Sequence, residues 1–537
     1  MIRLAKERGC SITMLRTHAS IAGHPTGEHS EASVQTMLTG DHIARYFVWD
    51  ALRGIDYLTG RRDIDSQRIG AFGCSGGGTV TAYLAALDDR VKAAEVACYI
   101  TSYDELLPQI GPQEAEQTIP GFIEQGLGFA DWVEMAAPRP YAIISTTEDM
   151  FPFAGARESE GEARRIYTLY GAEARLAWIT GPGRHGNLRP VYAQIMGFFL
   201  RWLSDSTETP EVEALPAPPA QELLCTRTGQ VSTSLGGATV FTLNRERAGL
   251  PRVRQPLTTR PEFLRFRERL IEQVRRVAGI SDDGGVTAAV VRVVSTEKKE
   301  TYRVETVAFP GATGIELTGR LAIPDGPRRK PGVLLLQPDA SGESDMAALA
   351  GSGDVVLALQ LLPGTKDEGE QKSALLGPFY LTTLRALLVG KTLVGLRAAD
   401  VMRAADWLAS RADVDSTQVE ARGKGADGIV LLHAALLDER IRSVRLEQTL
   451  VSYRMAVNDP APRDLAQSVI PGVLRHYDLD DLVMGLGTTP VTIVDPIDAE
   501  GKAVSDETFR RQYGWVLAAD RNLHEAGRLR VVSHSAE

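Results

Sequence analysis

Gly73-Cys74-Ser75-Gly76-Gly77 is the stretch on which the reading of this chain turns. It follows a short apolar run, Arg68-Ile69-Gly70-Ala71-Phe72, and leads into Thr79-Val80-Thr81-Ala82-Tyr83-Leu84-Ala85-Ala86-Leu87, which has a helical pattern. A strand, a tight turn centred on serine and then a helix is the context of a nucleophile elbow, which holds a serine hydroxyl out from the end of a sheet. Glycines are expected on both sides of Ser75, because so tight a turn leaves little room for side chains.

A serine hydroxyl is a weak nucleophile near neutral pH. It needs a base, and the base needs an acid to orient it. With an elbow of this kind the acid and then the histidine follow downstream. Tyr141-Ala-Ile-Ile-Ser145 reads as a strand and is followed by Thr146-Thr-Glu148-Asp149-Met-Phe-Pro152. A carboxylate just after a strand suits the acid; Asp149 is the expected residue and Glu148 the alternative. The next strand-like run, Leu176-Ala-Trp-Ile-Thr180, leads into Gly181-Pro-Gly-Arg-His185-Gly186, and His185 is the expected base. The backbone N–H of Gly76 is the expected first donor of an oxyanion hole. Between Tyr103 and Ala130 lies a segment containing Pro108, Gly111, Pro112, Pro120 and Gly121. It is expected to overhang the site as a small lid. Tyr103 and Trp132 are candidates for touching substrate, with aromatic packing beneath the lid as the alternative.

The chain also resembles itself. Asp63-Ile-Asp65-Ser66 returns as Asp413-Val-Asp415-Ser416, and Leu87-Asp-Asp-Arg-Val91 as Leu437-Asp-Glu-Arg-Ile441. Asp50, Arg53, Asp56, Leu58 and Arg61 return as Asp400, Arg403, Asp406, Leu408 and Arg411, all displaced by 350 positions. Ser102-Tyr103 and Pro140 recur at the same offset, as Ser452-Tyr453 and Pro490. One constant offset implies a tandem duplication. In each copy strands alternate with helices; in the first, Ser11–Leu15, Ile69–Phe72, Ala94–Ile100, Tyr141–Ser145 and Leu176–Thr180 read as strands. Such alternation predicts an α/β fold, a mostly parallel sheet with helices on both faces. The expected domains are 1–203, 204–300 and 301–537. The middle segment holds a Pro-rich linker at Thr209–Ala220, strand-like stretches in Val231–Leu243 and an amphipathic helix at Phe263–Val277. The second copy begins near Tyr302–Phe309 and has strand candidates at Gly332–Gln337 and Val355–Gln360. Subtracting the offset puts the partners of the first two before Met1, so the first copy is expected to lack roughly fifty residues of opening strands, as in a truncated chain or one with a misplaced start.

Residues 1–203 resemble the bacterial acetyl xylan esterase-like branch of the α/β-hydrolases, related to the dienelactone-hydrolase and prolyl-oligopeptidase-like folds. The likeness lies in the Gly40-Asp41 to Asp50 helix region, Gly73-Cys-Ser-Gly-Gly-Gly78, Tyr83-Leu-Ala-Ala-Leu-Asp-Asp-Arg90, Glu148-Asp-Met-Phe-Pro152 and Gly183-Arg-His-Gly186. It implies carboxylic-ester hydrolysis through an acyl-enzyme, with Ser75 attacking, His185 shuttling the proton and Asp149 orienting the imidazole. The chain departs from the family in two places. The second oxyanion donor normally comes from a loop after an early strand, which falls in the part expected to be missing; this chain is therefore expected to be weakly active or inactive, and one extended upstream active. In the second copy the position of the serine is Gly425, within Gly423-Lys-Gly425-Ala-Asp-Gly428. Asp495 and Asp498 lie near the place of the acid and His534 near that of the base, but Val531-Val-Ser-His-Ser535 does not match Gly183-Arg-His-Gly186. The second copy is thus expected to be non-catalytic, with Lys424 and Asp427 as solvated loop charges.

Composition narrows the alternatives. The 537 residues are 43% apolar and 24% charged, as in ordinary globular protein. A net charge of −10 argues against a nucleic-acid binder. No apolar run reaches the roughly 18 residues of a membrane span. The start, Met1-Ile-Arg-Leu-Ala-Lys-Glu-Arg-Gly-Cys10, has no signal-peptide core; any signal would lie with the missing opening strands, so no compartment is assigned. Cys10, Cys74, Cys98 and Cys225 are too few and scattered for a disulfide framework or a zinc site, and the histidines show no ligand spacing. No cofactor and no metal are expected. The expected partner is a small ester or an acylated carbohydrate, such as acetylated plant polysaccharide, with a homo-oligomer left open. Two competing readings are a serine peptidase of the prolyl-oligopeptidase type, which shares the elbow but has no propeller repeats before it here, and a non-enzymatic binding or scaffold protein.

Overall fold

Val91-Lys-Ala-Ala-Glu-Val-Ala97 is buried along almost its whole length, and so are the first six residues of Tyr141–Glu148. Strands that bury both faces belong to the interior of a parallel sheet covered by helices. The structure, a computed structural model, describes residues 27–111, 114–208, 210, 219–224, 226–229, 231–249, 254–280, 291–312, 314–336, 341–361, 375–459, 461–523 and 527–533. It divides into two compact units, Met1–His29 with His42–Ala238, and Ser30–Asp41 with Thr239–Glu537.

In the first unit β1 (Ile69–Cys74), β2 (Val91–Ala97), β3 (Tyr141–Glu148) and β4 (Leu176–Arg184) form a sheet in that order, and every pair is parallel. One face is covered by the helices Ile43–Thr59, Gly76–Leu87 and Phe153–Leu169, whose Ala51, Ile55, Ala82, Leu84, Ala163 and Tyr167 pack with Ile69, Ala94, Val96 and Ile143. On the other face Ile195 and Phe198 of the helix Tyr192–Ser204 meet Ala93, Ala97, Ala142 and Ile144. The strand expected at Ser11–Leu15 and the cysteine at position 10 lie outside the described residues.

The second unit holds β5 (Arg292–Lys298), β6 (Tyr302–Pro310), β7 (Glu316–Pro324), β8 (Lys330–Leu336), β9 (Val355–Leu359), β10 (Val414–Lys424), β11 (Ser443–Glu447), β12 (Val491–Val494) and β13 (Leu529–Val532). They form one sheet in the order β13-β12-β11-β10-β8-β9-β7-β6-β5. It is parallel from β9 to β13 and antiparallel among β5, β6, β7 and β9. The strand order reverses at β8, which lies between β9 and β10. The crevice at the carboxyl ends of strands at such a switch point is where α/β sheets bind ligands. The turn after β10 is the one that carries Gly425.

The duplication read from sequence is written into the bonding. Arg90 bridges Asp56 (2.6 Å) and Asp88 (2.6 Å), and Arg440 bridges Asp406 and Asp438 in the same way. The Ser75 N–H donates to the Ala97 carbonyl and the Gly425 N–H to that of Glu447, both at 2.9 Å. Each is an equivalent pair at the 350-residue offset. Both units are α/β.

Two expectations change. Val231–Leu243 is not strand: Val231–Leu235 and Val240–Gly249 are helices. The β-branched and aromatic residues there suggested extended chain, but Val240, Phe241, Asn244 and Ala248 are buried at helical spacing. Thr239 and Thr242 also exchange N–H to hydroxyl bonds at the helix start, as a capping pair does. The helix Gly27–Leu38 falls mostly with the second unit, where Asn244 bonds Thr36 and Gln35 bonds the Ala456 carbonyl. Secondly, Asp427 is not a solvated loop charge. It lies in the first turn of the helix Ala426–Leu437, largely buried, 3.8 Å from the buried Arg397, and burial pushes its pKa up to about 6. Lys424 is half-exposed at the end of β10.

The amphipathic helix is present as Arg260–Ala278. It is capped by Thr259 and Glu262, buries Phe263, Leu270, Val274 and Ala278, and ends at Gly279 with positive φ. Among the described residues no helix is long and apolar enough to cross a membrane.

Candidate active site

Parallel pairing puts the carboxyl ends of β1, β2, β3 and β4 along one edge, so the residues that follow them are neighbours although far apart in sequence. Ser75 follows β1, Cys98 follows β2, Asp149 follows β3 and His185 follows β4.

Ser75 has φ 59° and ψ −124°, and the helix Gly76–Leu87 starts on the next residue. Its N–H is held by Ala97, and its carbonyl accepts from Thr79 N–H at 2.9 Å, so the strained turn is fixed at both ends. The first glycine of the motif is required. A Cβ on Gly73 would stand 2.0 Å from the Gly77 carbonyl oxygen, which is backbone and cannot give. The expectation fails at Gly77, where a Cβ would meet nothing within 4 Å; the second crowded position is Gly78, 2.7 Å from the Ala97 carbonyl. Gly76 opens the helix, where N–H groups have no intrahelical acceptor.

Asp149 Oδ1 accepts from His185 Nδ1 at 2.6 Å and from the Phe151 N–H at 3.0 Å, and Oδ2 accepts from Thr146 Oγ1 at 3.0 Å. Its side chain is 2% exposed. Burial alone would raise its pKa, but the bonds from His185, Phe151 and the Cys98 thiol outweigh that and hold it below the usual carboxylate range. The bond to Asp149 raises the pKa of His185. Glu148 points to solvent, so of the two carboxylates it is Asp149 that meets the histidine. Among the described residues no hydrogen bond joins Ser75 Oγ to His185; in ligand-free enzymes such bonds are often long and tighten only around substrate.

Tyr103 and Trp132 lie in an aromatic layer. Tyr103 packs on Phe129 (4.7 Å between ring centres) and Phe122 (6.3 Å), and Trp132 stacks on Phe122 (5.3 Å) and tilts against Tyr83 (4.5 Å). The layer continues from Phe129 through Tyr99 to Phe151, whose ring lies 5.9 Å from that of His185. The expected lid is bonded down: the Glu116 carbonyl accepts from Tyr83 Oη at 2.9 Å, and the Thr118 carbonyl pairs with His42 Nε2 at 2.7 Å.

Sequence reasoning missed Cys98, Phe151 and Thr146 as members of this constellation. Cys98 is buried, with φ 54°, and its N–H donates to the Ile144 carbonyl at 2.9 Å. The neighbouring Cys74, burial and the nearby Asp149 charge hold its thiol protonated. Its place immediately after β2 was the one available signal. In the second unit Gly425 repeats the elbow at φ 56° and ψ −125° without a side chain. Asp495 follows β12 with φ 45°, Asp498 lies in the turn beyond it, and His534 lies outside the described residues.

No family model matches the chain. It is 24% identical over 177 residues to "Putative hydrolase YtaP" of Bacillus subtilis (strain 168), covering 32% of this chain and 59% of that protein. The chain thus spans about three-fifths of that relative's length. Among solved structures, a "putative acetyl xylan esterase" from Bacteroides fragilis NCTC 9343 aligns with a TM-score of 0.44 at 13% identity, over 56% of this chain and 83% of that one. A glucuronoyl esterase from Solibacter usitatus aligns at 0.37 and 14%, over 53% and 95%. Acetyl Xylan Esterase 1 from Thermoanaerobacterium sp. JW/SL YS485 gives 0.34 and 13%, over 52% and 88%. The chain is similar to acetyl xylan esterases and other esterases of the α/β-hydrolase type.

The elbow geometry predicts opposite outcomes for the two motif glycines. Gly73→Ala will prevent folding of the first unit or lower its melting temperature by many degrees. Gly77→Ala will be neutral or stabilising by up to ~1 kcal/mol, since alanine is the better helix former; thermal unfolding of the two variants decides. The ion pair predicts a pH window. A raised histidine pKa stabilises the fold fully below about pH 6.5 and loses this as pH rises through the raised value, while a lowered aspartate pKa stabilises it above about pH 4 and loses this as pH falls through the lowered one. The melting-temperature deficit of Asp149→Asn will therefore be largest between about pH 4 and 6.5 and shrink above that. A flat deficit across pH would contradict the pairing.

Proposed function

We propose that the first copy is a serine carboxylesterase for short acyl esters, acetyl groups on plant polysaccharide being the favoured substrate. The observation that carries this reading is the bonded Asp149–His185 pair at the same sheet edge as the Ser75 elbow. In this reading Ser75 Oγ attacks the ester carbonyl while His185 Nε2 takes its proton. Asp149 holds the ring with Nδ1–H toward itself and stabilises the imidazolium. The Gly76 N–H donates to the developing oxyanion. His185 then gives its proton to the leaving alcohol, and water repeats the sequence on the acyl-enzyme. Substrate contact by Tyr103 and Trp132 is part of the proposal. The names of the similar proteins, hydrolase, acetyl xylan esterase and glucuronoyl esterase, favour an ester of a carbohydrate.

The proposed division is a catalytic domain over 1–203, a connecting segment over 204–300 and a hydrolase-like domain over 301–537 that does no acyl transfer. Gly425 supports the last assignment, because glycine cannot carry an acyl group.

Ser75→Ala is expected to lower the rate of p-nitrophenyl acetate hydrolysis at least ~10³-fold, and to abolish labelling by a fluorophosphonate probe. The wild-type rate will rise with pH through the pKa of His185, since the base must be neutral to accept a proton. Cleavage of aminoacyl-nitroanilides without esterase activity would point to a peptidase. Failure of Ser75 to label in the full-length gene product would count against both enzymatic readings.

A further inference from the structure

The spacing of cysteines and histidines along the chain gives no metal-ligand pattern, yet the parallel sheet collects one. One ligand atom each from Cys98, Asp149 and His185 lies within 4.8 Å of the others. The ligand atoms of a four-coordinate zinc ion, with Zn–S about 2.3 Å and Zn–N about 2.0 Å, stand roughly 3–4 Å apart. Small side-chain rotations would close that difference. One thiol, one imidazole and one carboxylate are the donor types that zinc and its heavier relative take. The site has the support that metal sites require. Asp149 is held by Thr146 Oγ1 and the Phe151 N–H, and Cys98 is fixed by its N–H to the Ile144 carbonyl. Three ligands leave a fourth position for water.

We propose that Cys98, Asp149 and His185 bind a soft divalent cation, Zn²⁺ or Cd²⁺, which takes the histidine base out of service. On binding, the Cys98 thiol gives its proton to solvent and the thiolate ligates the ion. The proton on His185 Nδ1, now shared with Asp149, gives way to the metal and reappears on Nε2, so the imidazole stays neutral. Nε2 then carries an N–H where proton transfer from Ser75 needs a lone pair. The inhibitory consequence rests on the esterase reading; the binding does not.

The test uses the whole chain, freed of metal by EDTA and titrated with Cd²⁺. Wild type and a Cys10→Ser/Cys225→Ser variant are expected to develop the ultraviolet cadmium–thiolate absorption, saturating at one equivalent. Binding is expected to be at least ~10-fold weaker in Cys98→Ser, since even the outer partners of a ligand are worth 10–100-fold. His185→Gln is expected to weaken it as well, and serves alone should Cys98→Ser not fold. With p-nitrophenyl acetate, Zn²⁺ is expected to inhibit wild type, EDTA to reverse this, and Cys98→Ser to resist relative to its own metal-free rate. Absorption that is absent, or unchanged in Cys98→Ser and His185→Gln, overturns the site. Inhibition without absorption also overturns it, placing the metal elsewhere. Absorption in a chain with no esterase activity upholds the site and counts against the esterase reading instead.

Discussion

Parallel hydrogen bonding is the constraint on which the first unit depends. Strands that pair in parallel must each return by a crossover, so all their carboxyl ends fall on one edge. Residues 75, 98, 149 and 185 share that edge for that reason: each is the residue at which a strand gives way to its loop. The chain between them supplies the crossover helices, and the helices supply the apolar faces that keep the strands buried. A site built this way tolerates change in the loops but not in register, since a slip of β3 against β4 would part Asp149 from His185.

The same geometry explains what was legible in the sequence. Ser75, Asp149 and His185 could be named because each follows a strand-like run and their order is that of a known chemistry. Cys98 also follows a strand, but a cysteine after an alanine-rich run carries no chemical signature by itself. It acquires one only when β2 is seen to lie between β1 and β3. The same holds for Phe151, whose ring meets His185 across two loops. Periodicity found the helix at Arg260–Ala278 because its apolar stripe is regular, and it failed at Val240–Gly249 because β-branched residues outvoted a buried stripe of only four positions. Burial of Asp427 was invisible because its partner, Arg397, is thirty positions away.

The second copy separates what the backbone demands from what the chemistry demands. Gly73 and Gly78 have counterparts in Gly423 and Gly428, and both of these are crowded as well, by the Asp427 carbonyl at 2.8 Å and by Thr449 Oγ1 at 2.0 Å. Gly77 corresponds to Asp427, a substitution its open surroundings allow. The glycines that recur are therefore the ones the turn cannot do without, and the motif as usually written includes one that it can.

Strain is divided in the same way. A non-glycine residue at positive φ costs of order 1–3 kcal/mol and persists only where its surroundings impose it. Cys98 at φ 54° is matched by Gln448 at φ 45°, and their N–H groups bond Ile144 and Val494 at equivalent positions. That strain belongs to the sheet edge, since it occurs equally in the copy that has Gly425 at the elbow. At the elbow the two copies differ. Gly425 adopts the turn freely, whereas Ser75 adopts it at a cost. A fold that needed only the turn would be more stable with glycine there. The serine is thus unexplained by architecture; under the proposed esterase reading, the bonded Asp149–His185 pair at the same edge gives a chemical reason for a hydroxyl in that place.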